Sequence, residues 1–185
     1  MSAALSALVA SEHESMTRAA PSKWPALAIL IAALLCCCLA AAAGEWTGQV
    51  VGITDGDTLA VMQAGQAVKV RLVEIDAPES RQDFGQRSKQ SLSELCFGQV
   101  ATVRDQGHDR YGRVLGRVFC GTADANAEQV RRGMAWWYVR YGKDVALKRI
   151  EEQARAARRG LWAADDPVPP WEFRRCRRAA GERHG

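Results

Sequence analysis

The chain has 185 residues, with 25 lysines and arginines against 21 aspartates and glutamates and a formal charge of +4. That length suits one domain and leaves little room for a second. The modest basic excess does not by itself demand an anionic partner, while only three histidines and no Cys-x-x-Cys pair argue against structural zinc.

Residues 26–43 form an 18-residue uncharged apolar run preceded by Arg18 and Lys23, and Ala41-Ala42-Ala43 before Gly44 has the small-residue pattern of a signal-peptidase site. The expected arrangement is an export signal over residues 1–43, cleaved after Ala43, which makes the protein periplasmic or secreted. An uncleaved anchor that leaves the same domain outside the membrane is the alternative. Glu12 and Glu14 fit poorly in a leader, and a start at Met16 gives a compact one. Cleavage removes two cations and two anions, so the excess stays at +4. It also reduces the six cysteines to Cys96, Cys120 and Cys176, in a compartment where disulfides persist.

Strands are predicted over Trp46–Thr54, Thr58–Met62 and Val68–Ile75, with Asp55-Gly56 and Gln63-Ala64-Gly65 as turns, so the acidic residues fall at strand ends. Phe84–Cys96 reads as a helix stopped by Gly98. Strands Val100–Arg104 and Val114–Phe119 follow. If these two pair antiparallel, their distal ends meet, and a Cys96–Cys120 disulfide closes a loop worth roughly 3 kcal/mol; two buried thiols are the alternative. Asp124 caps a short helix through Arg132, and Asp144–Arg159 is the strongest helical pattern, with Leu147, Ile150, Ala154, Ala157 and Leu161 at spacings of three and four. Pro167-Val168-Pro169-Pro170 is extended. Trp171–Arg178 is read as a basic tail that adds a non-specific electrostatic hold on nucleic acid, or as a disordered tail of solvated charge with no role, or as one that touches anionic lipid. A strand meander followed by interspersed helices predicts an α+β, mainly β fold, a small barrel with helices packed beside it.

Three short segments carry the chemistry: Asp55-Gly56-Asp57-Thr58, Arg71 through Asp76-Ala77-Pro78-Glu79, and Asp109-Arg110-Tyr111-Gly112-Arg113. They combine hard oxygen donors, a carboxylate able to take a proton from water, and guanidiniums able to grip phosphate bidentately, which is what metal-assisted phosphodiester hydrolysis needs. Each segment alone is a common turn or loop entry. Their order and the 14-residue step from Asp57 to Arg71 make the combination specific.

In these elements the chain, over Glu45–Trp162, resembles the staphylococcal nuclease (thermonuclease-like) family. The resemblance implies a five-stranded oligonucleotide-binding (OB-fold) barrel with about three helices over residues 44–163, followed by a proline-rich and basic tail over 164–185. It also implies a calcium cofactor and cleavage of DNA or RNA to 3′-phosphate products by a monomer with no obligate protein partner. By the same resemblance Asp57, Asp76 and the backbone carbonyl of Ala77 match the metal ligands, and Asp55 a carboxylate behind them. Arg71, Glu79 and Arg113 match the catalytic set, and Arg110, Tyr111 and Tyr141 are substrate-contact candidates. The family usually carries threonine where this chain has Ala77, so a hydroxyl is lost, and the segment from Glu79 to Phe84 is shorter and less lysine-rich than in the founding enzyme. Where the family has another nucleotide-contacting tyrosine this chain has Val139. Trp136 and Trp137 are read as core. The competing function is a nucleic-acid-binding barrel that has lost cleavage, and a third is an envelope-anchored adaptor working through the proline-rich tail.

Overall fold

The structure, a computed structural model, describes residues 44–182; the expected signal or anchor lies outside the described residues. Strands β1 (Glu45–Asp55), β2 (Thr58–Gln63) and β3 (Gln66–Leu72) form an antiparallel meander, and β4 (Ile75–Asp76) follows as a separate short strand. Then come α1 (Gly85–Cys96), β5 (Val100–His108), β6 (Val114–Cys120), β7 (Ala123–Asp124), α2 (Ala125–Arg131), β8 (Trp136–Trp137), α3 (Val145–Ala156), a 3-10 turn (Gly160–Ala163) and α4 (Pro170–Glu182).

The main sheet runs in the order β3-β2-β1-β5-β6 and closes through a parallel β3–β6 pairing, with β7 appended to β6. This closed five-stranded barrel is the expected oligonucleotide-binding fold. It forms because each strand alternates inward and outward residues: β6 buries Val114, Gly116, Val118 and Cys120 while the residues between them are only partly covered. Val50, Leu59, Val61, Val70, Leu72, Val103 and Val118 fill the interior, each almost completely sealed from solvent. β5 runs four residues further than expected, to His108, because a register shift between Asp105 and His108 carries the strand on past Arg104.

Helices close the barrel's ends. α1 buries Gly85, Ser88, Leu92 and Cys96 on one face, and Cys96 is disulfide-bonded to Cys120 at the end of β6, as the strand pairing predicted. α2 starts at the N-cap Asp124, whose carboxylate accepts from the Ala127 N–H, and α3 starts at the N-cap Asp144, which accepts from Ala146. Two buried amides on α2 tie it to the barrel. Asn126 accepts from the Val118 N–H and donates to the Val73 carbonyl, and Gln129 donates to the Gly56 carbonyl at 2.7 Å. Two further segments differ from expectation. β3 stops at Leu72, because Glu74 turns the chain with a positive φ of 64°, so Ile75–Asp76 pairs instead with Trp136–Trp137. The segment from Pro170 is a helix rather than a loose tail, since proline's fixed φ suits the first helical position.

Candidate active site

The β1–β2 turn sets the first carboxylates. Asp55 accepts from the Asp57 N–H at 3.1 Å, and Gly56 lies so close to Ser88 on α1 and to Ala77 that a side chain there would collide with both. The turn is thereby pressed inward, and Asp57 is only 5% exposed. Its carboxylate accepts from the Thr58 hydroxyl (3.1 Å) and from the Ala77 N–H (2.7 Å), which ties the turn to the second acidic segment. Asp76, 1% exposed, is set beside it by the β4–β8 pair.

Arg71 lies between the two acids. Its guanidinium meets Asp57 Oδ2 at 2.8 Å and Asp76 Oδ1 at 2.9 Å and donates to the Leu72 and Ile75 carbonyls. Burial pushes the Asp57 carboxyl up, with Asp55 and Asp76 adding to the rise and Arg71 opposing it. The environment thus disfavours its anionic form, which a cation placed beside it would favour.

Glu79 follows on the irregular segment leading to α1. Its N–H donates to the side chain of Gln82, and its carbonyl accepts from the Gln82 N–H. Gly85 closes that segment against the Glu79 carbonyl with no room for a side chain. The Glu79 carboxylate, about one-third exposed, accepts from Arg174 at 2.7 Å. The same guanidinium donates to both oxygens of Asp76, at 2.7 and 3.3 Å.

Arg113 stands one residue before β6, and its Nη1 lies 3.5 Å from the Thr58 hydroxyl. Asp109 holds it. One Asp109 oxygen accepts from the Tyr111 and Arg113 N–H groups and the other from Arg113 Nε and Nη2, both at 2.7 Å. Although burial works against it, these bonds keep the Asp109 carboxyl below the usual carboxylate range. Arg110 donates to the Tyr111 hydroxyl, and both Arg110 and Arg113 lie against the Tyr111 ring. Tyr111 and Tyr141 are exposed, at 69% and 58%, where a partner can reach them. Trp136 is buried and Trp137 partly so, as core residues should be.

Asp57, Arg71, Asp76 and Ala77 are thus joined by direct contacts, with Glu79 linked to them through Arg174, Asp55 behind the turn and Arg113 reaching the group through Thr58. Tyr111 flanks Arg113. The ring of Tyr141 lies 5.0 Å from that of Tyr138. Arg174, Gln82 and Asp109 carry geometry that was not assigned to them from sequence. Asp109 lay inside a recognised motif, and the trace of Arg174 was its spacing of three from Trp171 just after a proline.

Among the described residues no three histidine, cysteine or acidic side chains converge on one point, so a cation here would take two carboxylates and main-chain oxygen. The donor set fits a hard divalent ion. Three carboxylates, Asp57, Asp76 and Glu79, share two guanidiniums, Arg71 and Arg174, and Asp55 adds a fourth acid behind the turn, so acids outnumber the fixed cations.

The family described as staphylococcal nuclease homologue matches residues 69–164. An uncharacterized endonuclease of Escherichia coli is 45% identical over 128 residues, covering 69% of this chain and 84% of that protein. A micrococcal nuclease of Shigella flexneri is 42% identical over 147 residues, covering 74% and 84%. Protein ParB of Escherichia coli is 41% identical over 161 residues, covering 81% and 88%.

Proposed function

The chain belongs to the staphylococcal nuclease family, and from that premise we propose that it is an exported, calcium-dependent endonuclease that cleaves DNA or RNA to products ending in 3′-phosphates. The observation that carries this reading is the joined set of Asp57, Asp76, Arg71 and Glu79 at one end of the barrel, with an excess of carboxylate that a divalent cation would balance. Asp57, Asp76 and the Ala77 carbonyl would hold the calcium, which when bound neutralises phosphate charge and orients water. An alanine at 77 supplies the same main-chain carbonyl as a threonine would and lacks only the hydroxyl.

Glu79 takes a proton from the attacking water as its oxygen forms the new bond to phosphorus. The bond from phosphorus to the 5′ oxygen breaks, that oxygen leaves as a hydroxyl by taking a proton from solvent, and Glu79 returns its proton to solvent. Negative charge grows on the equatorial oxygens during the attack. Arg113, pre-set by Asp109, meets it with charge-assisted bonds that cost no reorganisation at that moment. Arg71 holds the two acids at a fixed separation and turns the rest of its guanidinium to phosphate. Tyr111, Arg110 and Tyr141 contact the strand outside the reacting group, since exposed aromatic faces stack bases without regard to sequence.

The Cys96–Cys120 disulfide supports export, because such bridges persist in oxidising compartments. No helix among the described residues is long and apolar enough to cross a membrane. The test is incubation with plasmid and with single-stranded oligonucleotides, in calcium or in chelator, with end-group analysis of the products. Calcium-dependent cleavage to 3′-phosphate ends is the expected result. Retention of nucleic acid without cleavage would overturn the reading.

A further inference from the structure

Helix α4 lies outside the residues that match the family, which end at 164, yet it supplies a side chain to the centre. Trp171 and Arg174 are three residues apart and so share a face of the helix. The Trp171 ring stacks on Tyr138, with centroids 5.4 Å apart and planes 8° from parallel, and meets the Trp136 ring edge-on. Trp136 pairs with Asp76 across the β4–β8 ladder. The aromatic anchor therefore seats the first turn of α4 beside Asp76, and the next turn brings Arg174 onto Asp76 and Glu79 together. A second tie runs parallel to the first: Gln82, which accepts from the Glu79 N–H, donates its own amide to the Val168 carbonyl just before α4.

Glu79 needs such support. It stands on a short irregular segment and is about one-third exposed, whereas Asp76 is sealed in the fold. A glutamate left alone there would spread over its rotamers, and only a fraction of them would face the water that it must activate. One planar guanidinium spanning both carboxylates transfers the fixed position of Asp76 to Glu79. A helix held by stacked rings, a buried Pro170 and a hydrogen bond to the base's own loop is a fixed brace. We propose that Arg174 is a positioning residue of the hydrolytic centre, acting through Glu79, and that α4 is an integral part of the nuclease site. This rests on the reading of Glu79 as the group that activates water.

The experiment is a double-mutant cycle in the full chain, with Arg174→Met, Glu79→Gln and the pair, measured by steady-state cleavage of a single-stranded oligodeoxynucleotide with calcium. Arg174→Met is expected to lower kcat about tenfold to a hundredfold while KM changes less than about threefold, which is the signature of lost transition-state stabilisation. In the Glu79→Gln background the same change should have almost no effect, because the group through which Arg174 acts is already lost. Arg174→Lys should restore little of the rate, since an ammonium does not span two carboxylates in one plane. Calorimetric titration with calcium supplies an independent readout. Removing a neighbouring positive charge should tighten binding only a few-fold.

A full Arg174→Met effect in the Glu79→Gln background would overturn the proposal, as would a rise in KM alone, which would make Arg174 a phosphate contact. A faster enzyme with calcium bound more than tenfold tighter would also overturn it, by making Arg174 a plug. If Glu79→Gln itself cleaves at the wild-type rate, the assignment of Glu79 fails rather than the brace. If Glu79→Gln is crippled while Arg174→Met is unaffected, the brace alone fails.

Discussion

Arg71→Met should destabilise the protein in chelator far more than it would at an ordinary surface position. The guanidinium is 14% exposed and serves four acceptors: Asp57 at 2.8 Å, Asp76 at 2.9 Å, and the Leu72 and Ile75 carbonyls at 3.2 Å. Methionine fills much of the volume and leaves two buried carboxylates with less positive charge. Removing one partner of a buried pair costs about 3–5 kcal/mol. For a domain of this size a middle value of about 4 kcal/mol lowers Tm by roughly 12–16 °C. The pH dependence follows from Asp57, whose carboxyl burial already pushes up and which the charge of Arg71 pulls down. Without Arg71 the folded state holds its proton to still higher pH. A group whose folded pKa lies above its unfolded value loses stability as pH rises, and variant and wild type part only above the wild-type value of about 8, so the deficit should be larger at pH 9.5 than at pH 6. Saturating calcium should then raise the Tm of the variant by more than that of the wild type, where an ion at 100 times its Kd adds about 2.7 kcal/mol. Thermal unfolding followed by circular dichroism at the two pH values, with chelator and with calcium, measures all three quantities. A variant that melts in chelator within 3 °C of wild type, or whose deficit grows toward acid, would refute the account of Arg71 as the cation that holds two buried acids.

Two further predictions concern the frame and the arginine loop. Replacing both Cys96 and Cys120 with alanine opens a link spanning 24 residues, which costs about 3 kcal/mol by chain entropy and should lower Tm by about 10 °C; reduction of the wild type should produce a comparable fall, and equal melting in oxidised and reduced forms would contradict it. Asp109→Ala should cut kcat/KM at least tenfold by releasing Arg113, approaching the loss in Arg113→Ala, and a double variant no worse than Arg113→Ala alone would place both effects in one group.

What could be read from the sequence was whatever local rules determine. Asp124 was legible as a helix cap because a short acidic side chain before a helical run has few other uses, whereas Asp144, expected as the first residue of its helix, caps it, and both carboxylates accept from the first turn. The alternating strands gave the barrel, and the antiparallel β5–β6 pair carried the disulfide with it. Asp57, Asp76, Arg71 and Glu79 were legible as a set through motif order. Their mutual contacts were not: periodicity does not tell that Arg71 faces inward between two acids instead of outward to solvent. The strand through Ile75 failed at Glu74, whose backbone adopts a conformation that propensity does not anticipate in a glutamate. The C-terminal helix failed for a different reason. Four residues of proline-rich sequence read as extended chain, and the arginines after them read as solvated charge. The helix is held by contacts 33 and 35 residues away in sequence, from Trp171 to Tyr138 and Trp136, which no local window contains.

The same long-range packing explains how a protein of net charge +4 keeps an anionic centre. A surface carboxylate cluster would attract mobile counterions and disperse, whereas Asp57 and Asp76 are walled in by the β1–β2 turn, β3 and the β4–β8 pair, so their charge must be met by fixed groups or a bound ion. Arginine serves as the fixed group at each point, in Arg71, Arg113 and Arg174, because it stays charged when buried and its planar fork satisfies more than one oxygen. Each of the three is itself bound to an acid that sets its direction. The centre is therefore built from crossed pairs in which each arginine is oriented by an acid. A phosphodiester entering it meets guanidiniums already aimed, and little of its binding energy goes into rearranging them.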